Sequence, residues 1–245
     1  MARTLIAGNW KMNGLNSALT EVDKVAEALS SCPDKADCLI CPPSTLIAAM
    51  VSRAGPRLKV GAQTCHANAS GAHTGDVSAE MLSEAGATYI IVGHSERRAD
   101  HGESDSDVRA QAEAALRVGA TPIICVGESL AQRQAGETLA VIEAQLNGSL
   151  PTGDAEIVVA YEPIWAIGTG EVASVEQINE VHNAIRAYLS KASSAGASTP
   201  ILYGGSMKPG NAAEILAIEN VNGGLIGGAS LKAEDFMAIY AAAVA

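Results

Sequence analysis

The stretch Ile157-Val158-Val159-Ala160-Tyr161-Glu162-Pro163 decides the fold of this chain of 245 residues. It is a short apolar run, rich in β-branched residues and ended by a proline, which is typical of a strand buried on both faces. Runs of this kind recur along the chain, and each is followed by a Gly- or Pro-marked break and a helical pattern. They predict eight strands, at Thr4–Gly8, Cys38–Cys41, Leu58–Ala62, Tyr89–Val92, Thr121–Val126, Ile157–Tyr161, Pro200–Tyr203 and Gly224–Ile226.

The stretches between the predicted strands have the 3.6-residue periodicity of helices, as in Asp107–Val118, Leu130–Leu146 and Val175–Leu189. Eight alternating strand–helix units without a linker predict an α/β protein whose eight parallel strands close into one barrel, a single domain over residues 1–245. An open doubly wound sheet has the same alternation, but Gly8–Gly14 lacks the G-x-G-x-x-G pattern that should follow its first strand. The sequence therefore favours the closed barrel.

The charge balance excludes some classes of partner. Lysine and arginine total 16 against 27 aspartate and glutamate, a formal net charge of −11, whereas a nucleic-acid-binding protein normally has the opposite balance. No run approaches the roughly 20 apolar residues of a membrane helix. Five cysteines, without the density of a disulfide framework, favour a reducing compartment. We therefore expect a cytoplasmic protein that binds neither nucleic acid nor membrane.

Polar side chains follow three of the predicted strands. Asn9 and Lys11 come after strand one, His94 directly follows strand four, and Glu162 ends strand six. A carboxylate at the end of a buried strand is expected to have a raised pKa, which makes it a stronger base. A helical turn opening at Ser95 would place N–H groups against His94 and disfavour the imidazolium form.

Each of these residues also has a purely structural interpretation. Lys11 would then be a solvated loop lysine and His94 a hydrogen-bonded core histidine. Glu162 would form an ordinary buried ion pair, for instance with Arg97 or Arg98. The residues alone leave both interpretations open.

Glycines mark the ends of the last two strands, in Gly204-Gly205-Ser206 and in Gly227-Gly228. Because glycine lets the backbone approach an anion closely, and barrel enzymes often bind phosphate after strands seven and eight, these pairs predict a phosphate site. After Pro163, the segment Ile164–Gly170 combines apolar residues with two glycines. That composition suits a lid that excludes water from a bound ligand.

The chain closely resembles the triosephosphate isomerase family. The resemblance is carried by motifs that run in order along nearly the whole chain: Gly8-Asn9-Trp10-Lys11-Met12-Asn13-Gly14, Val92–Arg98, Ile124-Cys125-Val126-Gly127-Glu128, Tyr161–Gly170, Tyr203–Ser206 and Asn222–Gly228. It implies a (β/α)8 TIM barrel that interconverts dihydroxyacetone phosphate and glyceraldehyde 3-phosphate, a step of glycolysis and gluconeogenesis, without cofactor or metal. It also implies a homodimer held by the loop from Gln63 to Asp76.

The resemblance further implies a role for individual residues. Glu162 would be the catalytic base, neutral His94 would move protons between the substrate oxygens, and Lys11 would stabilise negative charge. Substrate-binding residues would be Asn9, Lys11, Gly168, Ser206, Gly227 and Gly228; supporting residues Ser95 and Glu96; lid residues Ala166, Ile167, Gly168, Thr169 and Gly170; and dimer-interface residues His73, Thr74 and Gly75.

The chain departs from the family pattern at two positions. Glu171 stands at the C-terminal hinge of the lid, where the family usually has lysine, and His73 stands where many relatives have an aromatic residue. The first departure bears on the opening of the lid and the second on the strength of the interface.

Other candidate chemistry is less well supported. Cys38 and Cys41 lie three apart on a strand and should point to opposite faces, and Cys65, His66 and His73 lack the spacing of zinc ligands. Another phosphosugar isomerase or epimerase, or an aldolase, would need metal ligands or a buried strand lysine. A non-catalytic phosphate-binding barrel would not need Asn9, Lys11, His94 and Glu162 together.

Overall fold

The computed structural model describes residues 2–168 and 171–245. Eight parallel strands pair in chain order and close into a barrel, with β1 hydrogen-bonded to both β2 and β8. The closed barrel is thus confirmed against the open sheet. Its strands are β1 (Thr4–Asn9), β2 (Ala36–Cys41), β3 (Leu58–Ala62), β4 (Tyr89–Val92), β5 (Thr121–Val126), β6 (Val158–Tyr161), β7 (Ile201–Tyr203) and β8 (Gly223–Ile226).

Helices lie between successive strands and surround the barrel: α1 (Leu19–Ser31), α2 (Ile47–Val51), α3 (Ala79–Glu84), α4 (Ser95–His101), α5 (Asp105–Arg117), α6 (Leu130–Gln134), α7 (Thr138–Ser149), α8 (Val175–Ala192), α9 (Ala212–Leu216) and α10 (Ala233–Val244). Short 3-10 turns occupy Asn16–Ala18, Ser44–Leu46, Ile164–Ala166 and Gly228–Leu231. Within the described ranges, none of the helices has the length and apolar character needed to cross a membrane.

The predicted strands agree with the observed ones to within two residues, but one predicted helix is wrong. The sequence predicted one helix over Leu130–Leu146, and the structure has α6 and α7 there. The chain breaks at Gly136, whose φ of 74° lies in the left-handed region and ends the first helix. Only the second helix packs its apolar face inward, with Ile142 and Leu146 buried, whereas α6 has no buried residue.

The core has two layers because successive residues of each strand point to opposite sides. Leu5 and Ala7 of β1 point into the barrel, and Ile6 packs against the helices outside it. The two cysteines of β2 also divide in this way, with Cys41 inside the barrel and Cys38 outside. As expected from the sequence, they lie on opposite faces. Because all strands run parallel, the residues that follow them collect at one rim.

A histidine that the sequence analysis did not single out is fully buried in the outer layer. His182 on α8 has no exposed surface, and its Nδ1 lies 3.1 Å from the carbonyl oxygen of Asn220. Its ring meets that of Tyr161 edge-on, with centroids 5.9 Å apart. Burial lowers the pKa of His182 to about 4, and Arg186 acts in the same direction. The imidazole is therefore neutral in the folded protein at neutral pH.

We expect His182 to make the protein sensitive to mild acid. In the unfolded chain the pKa of His182 is about 6.5. Between pH 6.5 and 4, His182 is therefore protonated in the unfolded state but neutral in the folded state. The free energy of unfolding should fall over this window by about 3 kcal/mol because of this group. Denaturant titrations of the wild type and of His182→Gln between pH 7 and 4 measure it. The variant should be less stable at pH 7 but lose less on acidification; parallel curves would refute the assignment.

Candidate active site

A cavity of about 720 Å³ opens at the rim where the strands end. Predicted site residues from the ends of five strands line it together: Asn9, Lys11, His94, Glu162, Gly168, Ser206, Gly227 and Gly228. The lid residue Ile167 and the glycines Gly204 and Gly205 also line it. So do residues to which the sequence analysis gave no role: Asn13, Met207, Lys208, Pro209, Leu225, Ala229 and Asp235. The fold therefore brings nearly all the predicted chemistry into one place.

His94 and Glu162 contact each other at the floor of this cavity. His94 Nε2 lies 2.9 Å from Glu162 Oε1, and the backbone N–H of Ser95 donates to Glu162 Oε2 at 2.9 Å. Both side chains are buried. Arg97 and Arg98, the alternative partners considered for Glu162, pair instead with Glu103 and Asp105.

The protonation state of His94 follows from its contacts. His94 is the N-cap of α4, and the N–H of Glu96 donates to its Nδ1 at 3.2 Å. Since Nδ1 accepts this bond, the ring proton of neutral His94 lies on Nε2, which donates to Glu162. Burial lowers the pKa of His94, but the carboxylates of Glu162 and Glu96 outweigh burial and raise it. The expectation that the helical turn would keep the pKa low is wrong while Glu162 occupies this position.

The pKa of Glu162 also differs from expectation. Burial favours the neutral acid, but His94, the Ser95 N–H and Lys11 together outweigh burial and hold the pKa of Glu162 below its ordinary value. The predicted rise is therefore wrong for this arrangement. Hydrogen bonds to the carboxylate replace the stabilisation of its ionised form that burial removes by excluding water.

Lys11 brings a positive charge to the cavity in an unusual backbone conformation. Its φ is 53°, in the left-handed region that residues other than glycine rarely occupy, and Asn9 Oδ1 accepts a hydrogen bond from its backbone N–H at 3.0 Å. The Lys11 ammonium lies 2.5 Å from Glu96 Oε1. Lys11 lines the cavity, whereas Glu96 does not. Glu96 is therefore a counter-ion that holds the lysine from outside the cavity. Backbone conformations as rare as that of Lys11 are found most often at functional sites.

Two glycines, one of them in the predicted phosphate site, have a role that the sequence analysis did not assign to them: they fix the position of Glu162. A Cβ on Gly127, after β5, would lie 1.8 Å from the Glu162 carbonyl oxygen. A Cβ on Gly204, after β7, would lie 2.8 Å from Glu162 Cγ. Both neighbouring strands therefore end in residues without side chains because Glu162 occupies that space. Gly127 stands in a motif of the resemblance, but only the barrel shows what it faces.

A second buried carboxylate, on Glu128, also escaped the sequence analysis. It has no exposed surface, and its Oε1 accepts hydrogen bonds from the Tyr161 hydroxyl and the Trp165 indole N–H, both at 3.1 Å. Arg133 Nη1 lies 3.7 Å from the same oxygen. Since Trp165 opens the predicted lid, Glu128 connects the lid to the end of β5.

The lid itself is described in part. Ala166 is buried, Ile167 is half-buried against the cavity and Gly168 is exposed with a φ of 71°. Thr169 and Gly170 of the predicted lid lie outside the described residues. Beyond them Glu171 and Val172 are exposed and Ala173 is buried.

The predicted interface residues lie away from this cavity. His73, Thr74 and Gly75 are exposed on the loop after β3, and Gly75 lines a separate cavity of about 460 Å³. At its edge the structure gathers His66, His73 and Asp76, with one potential ligand atom of each within 4.8 Å of the others. The two imidazole rings are tilted by 33° relative to each other, with centroids 3.9 Å apart.

Comparisons with known proteins agree with this geometry. The family model described as triosephosphate isomerase matches residues 4–243. The triosephosphate isomerase of Hyphomonas neptunium is 63% identical over 244 residues, covering 98% of each chain. That of Bradyrhizobium diazoefficiens is 59% identical over 241 residues, covering 97% of this chain and 96% of the other.

A solved structure has the same fold. The crystal structure of triosephosphate isomerase from Bartonella henselae superposes with a TM-score of 0.91 at 45% sequence identity and covers 98% of both chains. Family model, sequence relatives and structure all extend over essentially the whole barrel. The chain belongs to the triosephosphate isomerase family.

Proposed function

We propose that this chain interconverts dihydroxyacetone phosphate and D-glyceraldehyde 3-phosphate by proton transfer through an enediolate, using side chains alone. The observation that carries the proposal is the contact between Glu162 and His94, 2.9 Å apart, in a cavity that Asn9 and Lys11 also line. A base, a proton donor and a cation thus surround one space. A non-catalytic phosphate-binding barrel has no need of this arrangement.

Glu162 acts as the base. Its carboxylate takes a proton from the carbon next to the carbonyl, the electron pair of that C–H bond forms the C=C bond, and the carbonyl oxygen takes the negative charge. His94 moves the hydroxyl proton of the enediolate to the former carbonyl oxygen, and Glu162 returns its proton to the former carbonyl carbon, which gives the isomer. To reach the substrate, Glu162 must leave His94 and the Ser95 N–H. Burial then acts without the contacts that lower its pKa, and the carboxylate becomes a stronger base.

His94 and Lys11 stabilise the charge that develops on oxygen. The Nε2 proton that His94 donates to Glu162 becomes available to the substrate oxygens once Glu162 has moved. The Lys11 ammonium, held by Glu96, and the Asn9 side chain lie in the same cavity. Donors and charges fixed before the reaction stabilise the enediolate at little reorganisation cost.

Shortening the base tests its role. Glu162→Asp withdraws the carboxylate by about one C–C bond, and a misplacement of roughly 1 Å can cost on the order of 100-fold in rate. We expect kcat to fall by about that factor while KM changes only a few-fold. Steady-state assays with glyceraldehyde 3-phosphate in metal-free buffer measure both. The exposed Glu143→Asp is the matched control, and near-normal turnover by Glu162→Gln would remove Glu162 from the mechanism.

The segment after Glu162 closes over the substrate. Gly168 lines the cavity, and Trp165 is held by Glu128. Ile164, before the lid residues, and Val172, after them, expose 39% and 47% of their surface. The first turn of this segment is anchored at Trp165, and Gly168 is exposed to solvent. The segment can therefore close so that the Gly168 N–H contacts a phosphate. With Ser206, Gly227 and Gly228 it would surround the phosphate with backbone donors.

Hydrogen exchange tests this closure. A phosphate-bearing substrate analogue should slow exchange in a peptide that spans residues 164–168, because only the closed segment contacts the phosphate. An analogue of the same carbon skeleton without phosphate should slow it much less. Exchange in α8 is the internal control and should not change. Equal protection by both analogues would rule out phosphate-driven closure.

We further propose that the working form is a homodimer. Residues 68–76 are exposed on the loop after β3, and Met12 and Leu15, on the loop after β1, expose 96% and 78% of their surface. Gln63 connects the two loops, since its side chain donates to the carbonyl oxygen of Lys11 at 2.9 Å. Apolar side chains at such exposure favour a protein partner. A second copy of this chain, with its loop in the cavity beside Gly75, would be such a partner. It would also hold the loop of Lys11 in place.

An arginine in the loop tests the dimer. Thr74→Arg should place an unpaired charge in a buried contact, so that the dimer dissociates and kcat falls although Glu162 is untouched. Sedimentation velocity at several concentrations, with activity measured on the same samples, gives both readouts. Thr152→Arg, at an exposed threonine beyond the opposite end of the barrel, is the control. A wild type that is a fully active monomer at assay concentrations would contradict the proposal.

We also propose a cytoplasmic location and one catalytic domain over the whole chain. The five cysteines are free thiols, and four of them are buried. Burial raises the pKa of the thiols in the barrel interior, which suits unreactive side chains in a reducing compartment.

A further inference from the structure

The turn after β7 contains an asparagine that does not do what its position predicts. Asn211 is the N-cap residue of α9, with φ −123° and ψ −4°. An asparagine there ordinarily accepts a hydrogen bond from an N–H of the first turn of its own helix. Within the described residues, the Asn211 side chain makes no such bond. Ala213 and Glu214 are exposed, so that water can reach this end of the helix.

The Asn211 carboxamide instead points back to the segment that precedes it. Its Oδ1 accepts from the backbone N–H of Lys208 at 2.7 Å, and its Nδ2 donates to the carbonyl oxygen of Ser206 at 3.1 Å. The backbone N–H groups of Asn211 and Ala212 both donate to the carbonyl oxygen of Lys208, at 3.1 and 3.0 Å. One side chain therefore fixes two peptide groups of the turn.

The peptide groups that it fixes belong to the wall of the catalytic cavity. Ser206 and Lys208 line that cavity, and Met207 between them is buried with 3% of its surface exposed. The Met207 sulfur lies where a Cβ on Gly224 of β8 would come within 2.8 Å of it. The turn is thus held from the β8 side by Met207 and from the α9 side by Asn211.

We propose that Asn211 is a positioning residue for phosphate binding: by binding the Lys208 N–H and the Ser206 carbonyl oxygen, it holds the turn in the conformation in which the Ser206 N–H faces the phosphate of the substrate, without touching the substrate itself. The proposal rests on the proposed function, because it takes the triose phosphate as the ligand of this cavity. Backbone donors bind an anion well only when they are oriented beforehand, since reorienting them on binding consumes binding free energy.

The chemistry of the contact explains why the residue is asparagine. The Lys208 N–H needs an acceptor and the Ser206 carbonyl needs a donor, and a carboxamide supplies both. Aspartate is an equally good N-cap residue, but its carboxylate offers no donor and would face the Ser206 carbonyl oxygen with a negative charge. The Asn211→Asp variant therefore preserves a capping role and abolishes the proposed one.

The test compares Asn211→Ala and Asn211→Asp with the wild type, using inorganic phosphate as the probe of the anion site. Loss of the two hydrogen bonds should raise the phosphate dissociation constant, measured by calorimetry, about tenfold in both variants, which corresponds to about 1.4 kcal/mol. KM for glyceraldehyde 3-phosphate should rise in parallel, with a smaller change in kcat. The slow deprotonation of D-glyceraldehyde, which has no phosphate, should stay within twofold of the wild type.

A matched control separates positioning from general stability. Asn183→Ala also removes two side-chain hydrogen bonds, to Asn179 and Asn220, far from the cavity rim. It should lower the melting temperature without changing phosphate affinity. Unchanged phosphate affinity in both Asn211 variants would overturn the proposal, and so would an equal loss with D-glyceraldehyde, which indicates a purely structural role. Wild-type protein without isomerase activity would refute the proposed function, while the calorimetry would still decide whether Asn211 orients the anion site.

Discussion

The pairing of β1 with β8 is the interaction on which the site depends. Residues 5–8 of β1 lie in register with residues 223–226 of β8, and the N–H of Leu5 donates to the carbonyl oxygen of Asn222 at 2.9 Å. The two strands approach so closely that a Cβ on Gly223 would lie 1.9 Å from the Leu5 carbonyl oxygen. This closure turns a row of parallel strands into a ring. It thereby places the loop of Lys11 beside the glycines that follow β8, although more than 200 residues separate them.

Once the ring is closed, the rim gathers charged side chains in one cavity. The protein carries a net charge of −11, yet the cavity contains Lys11 and Lys208. Glu162 remains ionised there because His94 and the Ser95 N–H stabilise the carboxylate that burial would otherwise neutralise. In the proposed mechanism, the same contacts keep Glu162 inactive as a base until a ligand replaces them. The basicity of a buried carboxylate therefore changes when its side chain moves a short distance and exchanges its hydrogen-bond partners.

Three groups in or next to the cavity are held by side chains that do not line it. Glu96 holds Lys11, Glu128 holds Trp165, and Asn211 holds the backbone from Ser206 to Lys208. Within the described residues, none of these three side chains lines the cavity. The three groups are therefore fixed in place by partners outside the cavity.

The sequence by itself determined the alternation of strands and helices, and with it the barrel and the residues at its rim. Strand bounds could be predicted to within two residues because a strand buried on both faces is a continuous apolar run, and His94 and Glu162 stood out as polar residues at the ends of such runs. The break at Gly136, the lowered pKa of Glu162 and the roles of Gly127, Glu128 and Asn211 depended on the tertiary structure. Each of these rests on a neighbour that is distant in the chain or on a side-chain orientation that the residue type leaves open. The periodicity of the sequence indicates on which face of its own strand or helix a residue lies. Only the closed barrel determines which residues that face contacts.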